Sequence, residues 1–127
     1  MNLESLFRAE IALAPIQELG EGRRFIAITG GRFAGKRLSG EVLPGGGDSQ
    51  IVHPDGTLEL DARYVLRTAD GALIYVRNHG YRKDAFMRTS PRFDTGDARY
   101  AWLNRMVCVA SGVRRAASVE IDVYEVK

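Results

Sequence analysis

A single cysteine in 127 residues excludes any internal disulfide framework. Cys108 stands between Val107 and Val109, a setting for a small buried hydrophobe rather than a reactive thiol. The N-terminus, Met1-Asn2-Leu3-Glu4, lacks the basic segment and apolar stretch of a secretory signal. No apolar run approaches the ~18 residues of a membrane helix. These absences make a cytoplasmic protein, away from membranes, the expectation. An excess of one charge is missing too. Eighteen basic and 16 acidic residues leave a net charge of +2, too small a bias to imply nucleic acid.

Catalytic signatures are equally scarce. There is no Gly-x-Ser-x-Gly elbow, and no dinucleotide fingerprint or βαβ unit to hold one. His53 and His79 are far apart, and neither has a companion at ligand spacing, so no metal or other cofactor is expected. Gly30 to Lys36 fits the first seven positions of a phosphate-binding loop. The eighth, however, is Arg37 where Ser or Thr should hold magnesium, and a strand follows instead of a helix. Arg77, Arg82, Lys83, Arg88 and Arg92 interleave with aromatic residues, as a stacking platform for single strands would. Asp84 and Asp94 among them favour a solvated sheet face, and nucleic acid is not an expected partner.

What the chain has in quantity is alternation with a period of two. Phe7, Ala9, Ile11 and Leu13 alternate with Arg8, Glu10 and Ala12, and Arg24 to Thr29 alternates again. Gly30-Gly31 breaks that run, Arg37 to Leu43 is a short segment, and Pro44 to Asp48 reads as a loop. Pro54-Asp55-Gly56 and Asp70-Gly71 are hairpin signals flanking Thr57 to Thr68, with Ala72 to Asn78 beyond. Pro91 and the Asp94 to Asp97 cluster punctuate the next stretch. One short helical piece, about Ala98 to Asn104, precedes strands near Arg105–Ala110 and Ser118–Val126. Eight or nine short strands in one domain, residues 1–127, predict a mainly β protein whose antiparallel sheet closes into a barrel.

Read as a two-residue turn, Asp70-Gly71 sets Arg63 opposite Asn78, Val65 opposite Val76, and Tyr64 opposite Arg77. Asp61 shares the face of Arg63, so one surface carries Asp61, Arg63 and Asn78 among aliphatic residues. A few polar groups among aliphatics is the pattern of a small-molecule cavity, and the alternative is that these charges pair in solvent on the outside of the barrel or pair internally for register only. In the cavity reading Asp61 is a general acid/base, Arg63 an anion or carbonyl stabiliser, and Tyr64 or Tyr75 a hydroxyl donor.

Five blocks in order bring a family into view: Leu38 to Asp48, Leu60 to Tyr64, Gly71 to Asn78, Arg88 to Gly96 and Tyr100 to Asn104. Together they resemble the domain-of-unknown-function family numbered 3237. The resemblance implies a compact lipocalin-like barrel, and a few fungal relatives are tied to cyclisation steps. It adds Asp48, Arg88 and Trp102 to Tyr75 and Asn78 as candidate ligand-binding residues. The chain departs from the family in having Ser49 after Asp48, where an aromatic is usual, and in a shorter segment from Tyr81 to Met87. The leading expectation is a small-molecule-binding barrel working without a cofactor as an isomerase, cyclase or lyase. It would move protons on an oxygenated, partly apolar substrate. A non-catalytic carrier barrel and an interaction module with a filled core are the alternatives, and a homo-oligomer is compatible with each.

Overall fold

Ten strands and one 3₁₀ helix account for most of the chain in a computed structural model that describes residues 1–127. The strands are β1 (Leu3–Leu13), β2 (Gln17–Gly20), β3 (Arg23–Ala34), β4 (Ser39–Val42) and β5 (Gly47–Val52), followed by β6 (Leu58–Thr68), β7 (Leu73–Lys83) and β8 (Phe86–Asp94). The 3₁₀ helix (Ala98–Leu103) precedes β9 (Cys108–Arg114) and β10 (Ser118–Val126). All pairings are antiparallel, and β1 pairs with β10 on one side and β3 on the other, which closes the sheet. β4 and β5 share one position between β3 and β6, so the barrel has eight staves, with β2 a short flap on the start of β3. No helix is long and apolar enough to cross a membrane.

Several boundaries differ from the sequence reading, each for a local reason. β3 runs through Gly30-Gly31 instead of breaking there. A Cβ on Gly31 would run into the Glu10 carbonyl oxygen of β1, so glycine lets the two backbones close up at a barrel corner. β5 begins at Gly47, inside the glycine-rich stretch expected to be a loop. β8 continues through Pro91, because the β8–β9 ladder is only Arg88↔Ser111 and Thr89↔Ala110 and ends before the proline. There the Ser90 hydroxyl donates to the Cys108 carbonyl at 3.0 Å instead. β9 starts at Cys108, later than expected.

The β6–β7 turn has the largest consequence. Its loop is three residues, Ala69-Asp70-Gly71: Thr68 N–H donates to the Ala72 carbonyl at 2.9 Å and Gly71 N–H to the Thr68 carbonyl at 2.9 Å. Gly71 alone takes the left-handed conformation, φ 91°, that such a loop needs at its last position. The register is therefore Ala62↔Asn78, Arg63↔Arg77 and Tyr64↔Val76, one residue from the two-residue expectation. A slip of one changes which residues of the two strands share a face. Leu60, Ala62, Tyr64, Ile74, Val76 and Asn78 point inward, while Asp61, Arg63, Val65, Tyr75, Arg77 and His79 point outward.

One half of the interior is solid. A bulge in β1 between Ser5 and Phe7 buries both Leu6 and Phe7. The Phe7 ring lies 5.3 Å from Phe33 and 5.9 Å from Phe93. Leu103 from the 3₁₀ helix is fully buried against this cluster, contributing roughly 1.5–3 kcal/mol for such a side chain. The half toward Leu60, Arg82, Met87 and Arg114 is not filled.

Candidate functional site

That unfilled half is a cavity inside the barrel, walled by Ile11, Ile26, Ile28, Leu60 and Ile121. Its volume is about 60 Å³, room for several waters or a small organic group. Small side chains make the space. Ala62 sits in one register row between Asp48 on β5 and Asn78 on β7, so only a methyl separates two polar groups. On the far wall Gly112 has no side chain, and the Met87 sulfur leans into the place one would occupy.

Asp48 anchors a polar chain running from the cavity to the barrel end. Its Oδ1 accepts the backbone N–H of Asp61 at 3.0 Å, and its Oδ2 accepts Gln50 Nε2 at 2.8 Å. Gln50 Oε1 in turn accepts two N–H groups of Arg24, at 3.1 and 2.6 Å. A guanidinium has donors only, so Arg24 fixes the Gln50 oxygen toward itself and the amide nitrogen toward Asp48. Burial pushes the Asp48 carboxyl above its ordinary value, and the nearby Asp61 charge adds to the shift. The hydrogen bonds from Gln50 and the Asp61 N–H, and the charge of Arg24, pull the other way without cancelling it.

Two further polar groups face the cavity without partners. Asn78 is 3% exposed, its Oδ1 is buried, and its side chain forms no hydrogen bond with the protein. Tyr64 is buried, and its hydroxyl bonds to no protein group. Burial first and the Asp48 charge second hold it far above the ordinary phenol range, so it is a neutral donor. Arg82 and Arg114 line the same cavity nearer the barrel end, with Thr89 between β7 and β9.

The structure thus brings Asp48, Tyr64 and Asn78 together and separates them from the other candidates. Asp61 and Arg63 form a 3.4 Å ion pair on the outer face, with side chains 39% and 57% exposed. The expected surface shared by Asp61, Arg63 and Asn78 is corrected by the three-residue loop: Asp61 reaches the cavity only through its backbone N–H. Tyr75 stands beside Arg63 over a shallow outer groove with Phe25. Arg88 is also outside, its guanidinium 4.1 Å from the Phe86 ring centre. Trp102 is at the filled end, under the Arg37 guanidinium at 3.7 Å, its indole N–H on the Arg99 carbonyl. The two histidines, distant in sequence, meet on the two oxygens of Glu59 at 3.0 and 2.9 Å on the outer surface. Gln50, Arg24, Arg82 and Arg114 were not among the sequence candidates.

Comparison with known proteins places this geometry among relatives. A UPF0311 protein of Rhodopseudomonas palustris is 41% identical over 128 residues, covering 86% of this chain and 84% of that protein. A solved β-barrel-like protein of Acinetobacter baumannii superposes with a TM-score of 0.94 at 37% identity, covering 99% of this chain and 96% of that one. A hydroalkoxylation enzyme of Penicillium herquei is 34% identical over 109 residues, 83% of this chain and 70% of that enzyme. The solved structure of an enzyme from the same fungus superposes with a TM-score of 0.82 at 26% identity, over 99% of this chain and 94% of that one. The model of the family described as proteins of unknown function, DUF3237, matches residues 1–87 and 82–126, and the chain belongs to that family.

Proposed function

We propose that the cavity binds a small, oxygenated, largely apolar molecule and catalyses proton transfer on it, with Asp48 as the acid–base group. The observation that carries this reading is the buried Asn78 Oδ1 without a protein partner, on the same cavity as a largely buried carboxyl and the buried Tyr64 side chain. Folded proteins rarely leave buried polar groups unpaired unless a ligand or water uses them. Asn78 and Tyr64 hold a substrate oxygen, and Asp48, whose proton burial holds more tightly than usual, donates it. Asp61 is then a positioning residue through its backbone N–H, and Arg63 has no part in the chemistry.

Kinship with a hydroalkoxylation enzyme supports a reaction of this kind. Adding an O–H across a carbon–carbon double bond requires a proton delivered to one carbon and a C–O bond formed at the other. The hydroxyl then releases its own proton, which returns to the carboxylate left behind. Asp48 is regenerated, and no further reactant is consumed.

The test is hydrogen exchange in D₂O on a panel of alkenyl phenols and enolisable ketones, read by NMR for deuterium at carbon. Wild type should label at least one compound. Asp48→Asn should slow that labelling by about 10²–10⁴-fold, the usual weight of a general acid–base group, while Asp61→Asn changes it less than about tenfold. Labelling that survives Asp48→Asn undiminished refutes the assignment.

A further inference from the structure

Two guanidinium groups, Arg82 and Arg114, line the open half of the cavity, and a third, Arg24, lies near enough to bear on Arg82. Arg82 is the last inward position of β7, in phase with Ile74, Val76 and Asn78. It lines the cavity partly buried, and it makes neither a hydrogen bond nor an ion pair with any protein group. Its charged neighbours are Arg24 and Arg114, which repel it, and Asp48, whose weaker attraction opposes them. Arg24 directs its N–H groups to Gln50. Arg114, also in the cavity wall, gives one nitrogen to the carbonyls of Arg115, Ala116 and Ser118 in the β9–β10 turn, leaving its remaining donors free. Asp48 is the one carboxyl facing the group, and its oxygens already accept from Gln50 and the Asp61 backbone.

Such a cluster is costly in an empty protein. A guanidinium stays charged at any ordinary pH, so Arg82 cannot escape its burial by losing a proton. Taking a cation even partly out of water without a partner is unfavourable, and adjacent like charges add to that. Burial and the two neighbouring cations do press the Arg82 guanidinium below its ordinary value. A bound anion relieves Arg82 and Arg114 together. The planar fork of a guanidinium matches a carboxylate better than a point anion, and the cavity walls beyond it are aliphatic.

Resting on the reading of this cavity as the ligand site, we propose that the ligand is an organic carboxylate on an apolar body. Its carboxylate is held by Arg82 and Arg114 at the barrel end, and its body reaches inward toward Asp48 and Asn78.

The experiment is calorimetric titration of the whole chain with benzoate, phenylacetate, 3-phenylpropionate and cinnamate, each beside its neutral primary amide, with inorganic phosphate as a further arm. At least one acid should bind ten-fold or more tightly than its amide, and more weakly as salt is raised. Arg82→Met should abolish the preference for acid over amide while melting no lower than wild type, since it removes an unpaired charge. Ala62→Phe, which fills the space between Asp48 and Asn78, should abolish binding of the same acid. Asp48→Asn should leave the acid preference in place, so loss of deuterium labelling in that variant reports on catalysis and not on this inference. Equal binding of acid and amide, an unchanged preference in Arg82→Met, binding that survives Ala62→Phe, phosphate binding as tight as the acids, or no binding by any acid would each overturn it.

Discussion

Replacing Asn78 with leucine should stabilise the protein and end ligand binding together. Asn78 is buried between Ala62 on β6 and Pro91 on β8, its Oδ1 without a partner. A buried polar group left unpaired costs about 1–3 kcal/mol relative to water. Leucine removes that cost and is somewhat larger than asparagine, but the added volume has somewhere to go, because the cavity lies directly in front of the side chain. The overpacking penalty of about 1–3 kcal/mol that a filled core would impose is therefore small here. A net gain of about 1–2 kcal/mol is expected. For a chain of this size that raises the melting temperature by roughly 3–8 °C, and the urea midpoint rises with an unchanged slope. The acid binding described above should disappear in the same variant. A loss of 1 kcal/mol or more at constant slope would refute the reasoning, since it would mean that the Asn78 amide is well satisfied in the native state.

Two further outcomes follow from groups whose ionisation the fold disfavours. Burial raises the Asp48 carboxyl above its ordinary value, so the folded state holds its proton more tightly than the unfolded chain does. Its stabilising contribution is full below that value and is lost as pH rises through the folded value. Urea midpoints of wild type minus Asp48→Asn, taken across pH 3 to 8, should therefore fall with rising pH, and a difference that grows with pH would contradict the assignment. Cys108 is buried, with its thiol pushed up to about 11, chiefly by burial. At pH 8 about one in a thousand such thiols is ionised, so iodoacetamide should label native protein at least 100-fold more slowly than protein in urea. Rapid native labelling would place that sulfur outside the core.

Much of the architecture was legible because turn chemistry and two-residue alternation are local signals. The strands around Ile11, Leu66, Ile74 and Val123 all declare a buried face without knowledge of their partners. β5 was hidden because its first residue belongs to a glycine run, yet Gly47 is small for a packing reason: Phe25 lies over it from β3. The β6–β7 register was not legible, since Asp-Gly suits a two-residue loop and the end of a three-residue loop equally. Thr68 decides between them. Its hydroxyl accepts the Ala72 N–H at 2.8 Å while its own N–H reaches the Ala72 carbonyl, which locks the longer loop.

That one-residue difference moved Asn78 away from Arg63, but the face each residue takes within its own strand does not depend on the neighbouring strand. In β7 the buried positions are Ile74, Val76, Asn78 and Gly80, and the next in phase is Arg82. In β3, Arg24 is in phase with Ile26 and Ile28, and in β9, Arg114 follows Cys108, Ala110 and Gly112. A charged residue in phase with an apolar face is a conflict between local pattern and burial, and such conflicts concentrate where function overrides stability. Antiparallel pairing brings the three to one end of the barrel, with Asp48, Gln50 and Asn78 as polar counterparts further in. Alternation therefore marks the inward phase of Arg24, Asn78, Arg82 and Arg114, while Asp48 and Gln50 stay hidden in and beside the glycine-rich stretch. The turns determine which of its members touch, and the Asp48–Ala62–Asn78 row exists because Thr68 lengthens one loop by a residue.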